Sequence, residues 1–174
     1  MTELAFRAAC ADDADKVAEL VNLAYCGEGA GRGWTTEADL LGGPRTDRGR
    51  ILALLAEPGA RVELCLDGGA LAGCVELRRD GAQCYLGMLS IDPRRQSGGL
   101  GKALLERSEE LARGWGCARM RMTVITTRAE LIAYYERRGY RRTGKVVPFP
   151  PEELRYRQPR AAAPVDFAEL EKPL

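Results

Sequence analysis

A chain of 174 residues with 45% hydrophobic and 29% charged side chains suits one soluble domain, 1–174, with a core of its own. Its 26 basic and 25 acidic residues leave a formal charge of +1, so no long-range field steers it to nucleic acid or to a membrane surface. Six cysteines form no Cys-x-x-Cys pair and histidine is absent, which argues against a metal site and excludes a histidine-assisted cysteine nucleophile.

Leu4 to Ala9 reads as an opening strand, and Asp12 or Asp13 as the cap of a helix with Val17, Leu20, Val21 and Ala24 on one face. The glycine-rich stretch 26–47 follows, with a short helix expected within 33–41, then a second helix over 47–55 ended by Pro58-Gly59. This is the expected substrate side. Strands at 61–66, 70–78 and 83–91 are divided by Asp67-Gly68-Gly69 and Asp80-Gly81, turn signals that predict an antiparallel meander.

The third of these strands runs through Ser90-Ile91-Asp92-Pro93-Arg94-Arg95 into Gln96-Ser97-Gly98-Gly99-Leu100-Gly101-Lys102 and an amphipathic helix over 99–113. Glycines allow close backbone approach, and the N–H groups of a first helical turn attract an anion, so the junction predicts a pyrophosphate site. It is not a Walker loop, because Gln96 and Ala103 stand where glycine and a hydroxyl are needed, and Leu104 breaks the dinucleotide fingerprint. The pattern that fits is Gln/Arg-x-x-Gly-x-Gly/Ala. A second match, Arg113 to Ala118, ends a helix and reads as a stop followed by a turn.

Beyond it come a strand over 118–125, a helix over 129–138, a strand over 140–147, a loop with four prolines over 148–160, and a tail strand over 165–172. Cys65, Cys74, Cys84 and Cys117 fall in or beside strands, where a free thiol serves as a small hydrophobe in a reducing cytosol. No apolar run has signal-peptide or membrane-span length, so a cytoplasmic protein is expected.

Two segments together, Gln96 to Gly101 and Leu131-Ile132-Ala133-Tyr134-Tyr135-Glu136-Arg137-Arg138-Gly139-Tyr140, resemble the acyl-CoA pyrophosphate loop and the Leu-Tyr-Glu-Lys-x-Gly-Phe helix of the Gcn5-related N-acetyltransferase (GNAT) superfamily. With the lead strand, 85–93, the resemblance covers about residues 60–145. It implies a mixed α/β (α+β) fold: a central, twisted, mostly antiparallel sheet of about six to seven strands flanked by about four helices, closed by the tail strand. Acetyl-CoA is the implied co-substrate, without a metal. Backbone N–H groups of Gln96, Ser97, Gly98, Gly99, Leu100, Gly101 and Lys102 would hold its pyrophosphate, with Arg94 and Arg95 as candidates for its phosphates. Leu89, Ser90 and Ile91 would pair with pantetheine like an added strand, one N–H facing the thioester oxygen.

The same resemblance aligns Tyr135 with a tyrosine that protonates the departing sulfur in many relatives, a task suited to a phenol of pKa near ~10. Tyr134 is the neighbouring alternative. Where relatives carry a glutamate base this chain has Tyr85, which leaves Glu76, one strand earlier, as the substitute, directly or through water; several relatives use no single base. Arg128 replaces a common asparagine and Ser97 a common glycine. Trp34, Thr35, Thr36, Glu37, Arg45 and Asp47 form the expected recognition segment. Trp34 and Glu37 are its substrate-binding candidates, with Glu37 or Asp39 either pairing with the amine or serving as a cap and solvated face.

These readings converge on an N-acetyltransferase that moves an acetyl group from acetyl-CoA to a small primary amine by direct attack in a ternary complex. One alternative is a protein or peptide acceptor, which the neutral charge disfavours. The other is a non-catalytic acyl-CoA sensor, which retention of Tyr135 argues against. Many relatives form dimers, so a homodimer is compatible with the resemblance.

Overall fold

The computed structural model describes residues 3–27, 37–160 and 165–174. Strand β1 (Leu4–Ala8) leads through a single 3-10 turn into α1 (Ala14–Cys26), which buries Val17, Leu20, Val21 and Ala24 as the spacing predicts. Asp13 stands at the N-cap of α1 but makes no capping bond there. Its carboxylate instead pairs with Arg7 at 2.7 Å and accepts from the Cys10 N–H at 2.9 Å, tying the end of β1 to the start of α1.

The expected short helix over 33–41 is not formed in its described part, since residues 38–40 make a turn and Leu41–Gly42 is a two-residue strand, β2; residues 33–36 lie outside the described residues. β2 pairs with β8 (Gln158–Pro159), inside the segment expected to be all loop. Helix α2 (Arg48–Ala56) begins at Asp47, whose side chain accepts from the Arg50 N–H at 2.8 Å.

β3 (Ala60–Asp67), β4 (Ala70–Asp80) and β5 (Gln83–Ile91) form the predicted meander. Then follow α3 (Leu100–Gly114), β6 (Arg119–Ile125), α4 (Ala129–Glu136), β7 (Arg141–Pro148) and β9 (Asp166–Pro173). The main sheet has seven strands in the order β1-β3-β4-β5-β6-β9-β7. Its pairings are antiparallel except β5 with β6. The last strand thus lies between two earlier ones, and Leu170 on β9 is fully buried.

Two apolar layers cover the sheet. α1 and α2 pack Val17, Leu20, Ile51 and Leu54 against Val62, Leu64, Cys74 and Met88. α3 and α4 pack Leu104, Leu105 and Ile132 against Val75, Leu77, Met120 and Met122 on the other face, each such side chain contributing roughly 1.5–3 kcal/mol. The thiols of Cys65, Cys74, Cys84 and Cys117 are buried and free, as expected of small hydrophobes. A buried carboxylate ties α3 to the sheet: Glu109 accepts from the Tyr140 hydroxyl at 3.1 Å and from Lys172 of β9 at 2.8 Å. Tyr140, which ends the second sequence motif, is therefore a packing residue.

Candidate active site

β5 and β6 are in register only from Gln83 opposite Arg119 to Tyr85 opposite Arg121. Beyond that point the two parallel strands diverge, and among the described residues no strand pairs with the edge of β5 that faced β6. A bulge helps to open the gap. Across β4 and β5, Cys74 faces Ser90 whereas Glu76 faces Gly87, so two steps on β4 take up three on β5. Met88 absorbs the extra residue at φ 49°, in the left-handed region that non-glycine residues seldom adopt.

Two side chains hold the bulge. The Ser90 hydroxyl donates to the Met88 carbonyl at 2.9 Å, and the Tyr25 hydroxyl of α1 donates to the Leu89 carbonyl at 3.2 Å. Extended backbone beside a diverging strand can accept a linear ligand as an added strand, the arrangement expected for Leu89, Ser90 and Ile91.

At the end of β5, Asp92 caps a 3-10 turn (Pro93–Gly98) by accepting from the Arg94 N–H at 3.0 Å. Gly99 then takes φ 74° and starts α3, with Gly98 and Gly99 both exposed. A Cβ on Gly99 would meet nothing within 4 Å, so this surface is open to a large anion. The Ala103 N–H is the first of α3 to bond back, to Gly99; the N–H groups before it have no intrahelical partner.

The two arginines before the glycines are committed elsewhere. Arg94 pairs with Asp92 at 2.7 Å and Arg95 with Asp67 at 2.7 Å, and the Lys102 ammonium, largely exposed, lies 3.8 Å from Glu106. The backbone groups, rather than these charges, are what the loop presents. The side chains of Gln96 and Ser97 lie outside the described residues.

The gap between β5 and β6 opens into a cavity of about 470 Å³ whose wall includes Tyr25, Glu37, Arg45, Glu76, Tyr85, Gly87, Leu89 and Tyr135. Tyr135 is buried, and its ring meets Tyr134 edge-on at 5.4 Å and Tyr140 at 5.8 Å. Burial holds its phenol well above the ordinary tyrosine range, so the hydroxyl stays protonated throughout neutral pH. Tyr134 is not part of the wall; its hydroxyl lies 3.3 Å from where a Cβ on Gly101 would stand, at the start of α3.

Glu76 enters the cavity from β4, with Oε1 accepting from Arg78 Nε. Its Oε2 would lie 3.0 Å from a Cβ on residue 87, so the glycine at 87 makes room for the carboxylate. Glu37 also reaches the cavity, but Arg157 closes on it at 2.5 Å in a nearly buried pair. Glu37 thus already has a cationic partner, as Glu76 has in Arg78. Trp34, Thr35 and Thr36 lie outside the described residues.

Several wall residues carried no sequence signal. Arg157, Glu153 and Phe149 come from the proline-rich segment, which is tied to the cavity wall by the pairs of Arg50 with Glu153 and of Arg157 with Glu37, each at 2.5 Å. Only the folded chain joins positions 37 and 157. Tyr25 occupied a periodic apolar position of α1, where nothing distinguishes a wall residue from a core residue. Arg128, at the start of α4, also lines the cavity. No group of three or more potential metal ligands occurs among the described residues.

Comparison with known proteins agrees with this geometry. Residues 21–140 match the family model described as "Acetyltransferase (GNAT) family". The chain is 28% identical to an IAA acetyltransferase of Azospirillum brasilense over 105 residues, 59% of this chain and 69% of that protein. It is 32% identical to the Bacillus subtilis (strain 168) protein YdhI over 74 residues, 42% of this chain; the match spans less than half, 45%, of that relative's length. Among solved structures, an IAA acetyltransferase from Bacillus cereus ATCC 14579 superimposes with a TM-score of 0.71 at 15% identity, covering 99% of this chain and 100% of that one. The PaiA N-acetyltransferase of Thermoplasma acidophilum, solved with coenzyme A, gives 0.70 at 15% identity and 99% coverage of both chains.

Proposed function

Since the chain belongs to the GNAT acetyltransferase family, we propose that it transfers the acetyl group of acetyl-CoA to the primary amine of a small molecule by direct attack in a ternary complex. The observation that carries the reading is the cavity at the divergence of β5 and β6, whose wall includes both Tyr135 and Glu76. Its volume, about 470 Å³, is that of a small-ligand site. The segment bearing Phe149, Glu153 and Arg157 contributes to its wall and is pinned by two ion pairs.

In this reading the N–H groups from Gly98 to Lys102 hold the pyrophosphate, and the β5 edge at Leu89 to Ile91 holds the pantetheine arm. These contacts position the thioester beside the acceptor. As the amine nitrogen bonds to the acetyl carbon and the carbon–sulfur bond breaks, Tyr135 gives its proton to the departing sulfur. Glu76 takes the proton that the amine loses, directly or through water, and Tyr135 regains one from solvent. Arg78 keeps the Glu76 carboxylate oriented.

Calorimetric titration of acetyl-CoA, followed by a thiol-release screen over small amines and peptides, tests the proposal. Micromolar binding is expected, weakened at least roughly tenfold in Gly99→Glu, which sets a negative charge at the start of α3. Thiol release should appear with small amines. Release with peptides alone would assign a macromolecular acceptor, and tight binding without any release would assign a sensor.

A further inference from the structure

The cavity wall carries more positive than negative charge. Arg45, Arg50, Arg78, Arg128 and Arg157 line it, against Glu37, Glu76 and Glu153. Each of these glutamates is committed to one arginine: Glu37 to Arg157, Glu76 to Arg78, and Glu153 to Arg50. Arg45 is different. Among the described residues its guanidinium forms no ion pair, and it lies over the face of Tyr25, 5.6 Å from the ring centroid. An arginine stays charged under all ordinary conditions, so the wall keeps a cation whose bidentate donors await an oxyanion.

Arg45 is also held in place, which a stray surface arginine is not. Asn22 of α1 accepts from the Arg45 N–H at 2.8 Å and from the Thr46 N–H at 3.1 Å, while its amide donates to the Thr46 carbonyl at 2.9 Å. Arg50 donates to the Arg45 carbonyl at 3.1 Å. Asn22 and Tyr25 are one helical turn apart on α1, so a single helix face grips both the backbone and the side chain of residue 45. The Tyr25 hydroxyl in turn bonds to Leu89 at the bulge. One tyrosine ring thus separates the guanidinium from the strand edge where the reacting carbonyl would be presented.

We infer that Arg45 is the anchor of an anion subsite, and that the acceptor is a small molecule carrying its amine a few bonds away from a carboxylate or a phosphonate-type oxyanion. The inference rests on the acetyl-transfer reading for the location of the amine, whereas the anion subsite itself is a property of Arg45. The built-in cation sets specificity by a contact that a neutral or purely cationic amine cannot make.

Matched acceptors test it: an amino acid, its carboxamide and the corresponding aminophosphonate, each measured in two ways. Turnover is followed with saturating acetyl-CoA, and binding is followed by calorimetry on the protein saturated with free CoA. The acid should exceed its carboxamide by roughly 10- to 100-fold in kcat/KM and in affinity, the range of one charge-assisted contact. Arg45→Gln should collapse that ratio, and Arg45→Lys should restore part of it, with acetyl-CoA affinity reporting that each variant is folded. The order of carboxylate and phosphonate identifies the anion.

Equal use of acid and carboxamide by the wild type overturns the inference and leaves acetyl transfer standing. A uniform loss for both in Arg45→Gln, or failure of every acid to bind, overturns it as well. Arg45-dependent binding of acids without thiol release would uphold the subsite and sink the acetyl-transfer reading.

Discussion

Tyr134 and Tyr135 are neighbours on α4 whose rings stand 81° apart, centroids separated by 5.4 Å, and they serve different places. The Tyr135 ring belongs to the cavity wall. The Tyr134 hydroxyl faces Gly101 at the start of α3, and its ring lies under Arg138 at 3.5 Å. The motif resemblance singles out Tyr135 and leaves Tyr134 as its alternative; in the fold Tyr135, of the two, lines the cavity.

Tyr135→Phe is therefore expected to lower kcat by roughly 10²- to 10⁴-fold while acetyl-CoA binding persists, and Tyr134→Phe to change kcat by less than about threefold. Burial raises the Tyr135 phenol, so the acid stays protonated as pH rises past neutrality. The kcat profile should show no alkaline decline below about pH 10. Steady-state kinetics of the two variants, with a pH series on the wild type, decide this. A decline near pH 8 would remove Tyr135 as the donor.

Gly87 offers a test of the carboxylate. A methyl at this position would stand 3.0 Å from Glu76 Oε2 and 2.9 Å from a carbon of the Tyr85 ring, closer than van der Waals contact. Gly87→Ala should displace the Glu76 side chain and lower kcat toward the value of Glu76→Gln. The double variant should then be little worse than either single one, because both act through one carboxylate. Additive losses would show that Gly87→Ala acts other than through Glu76, and an unaltered kcat in Glu76→Gln would show that Glu76 plays no part.

The Arg157–Glu37 pair is nearly buried, with side-chain exposures of 5% and 13%. Glu37→Gln leaves the guanidinium in that setting without its charge partner, at an expected cost of about 2–4 kcal/mol. Chemical denaturation should show the loss, and the acceptor KM should rise as this part of the cavity wall loosens. A variant as stable as the wild type, with KM unaltered, would mean that solvent compensates Arg157 fully.

Thiol chemistry gives a simpler check and bears on the activity assay. Cys10 is exposed and Cys26 partly so, while Cys65, Cys74, Cys84 and Cys117 are buried. Burial pushes the Cys65 thiol up to about 11 and those of Cys74 and Cys84 to about 12, so little thiolate exists at neutral pH. An aromatic disulfide reagent should label at most two thiols of the folded protein and all six after unfolding. Rapid labelling of four or more would contradict the burial.

Local order was legible in the chain itself. The helix faces of α1 and α3, the meander of β3 to β5, and the glycine turn after Pro93 follow from periodicity and turn chemistry, which act over a few residues. The two motifs 90–102 and 131–140 carried the family because their backbone requirements show in residue types. Where local signals were weak the reading failed: the short helix over 33–41 is a turn followed by β2 in its described part, and β2 exists only because β8 reaches it.

What the sequence alone determined is most of the long helices and strands and the two motif-bearing segments, since spacing and capping are properties of neighbours along the chain. The tertiary structure decided the charges. Arg157 meets Glu37 across 120 positions, Glu109 meets Lys172 across 63, and Arg45 is left facing the cavity because the carboxylates beside it are engaged by other arginines. An ion pair forms where two side chains are brought within a few ångströms, and that proximity is set by packing of the whole sheet against its helices.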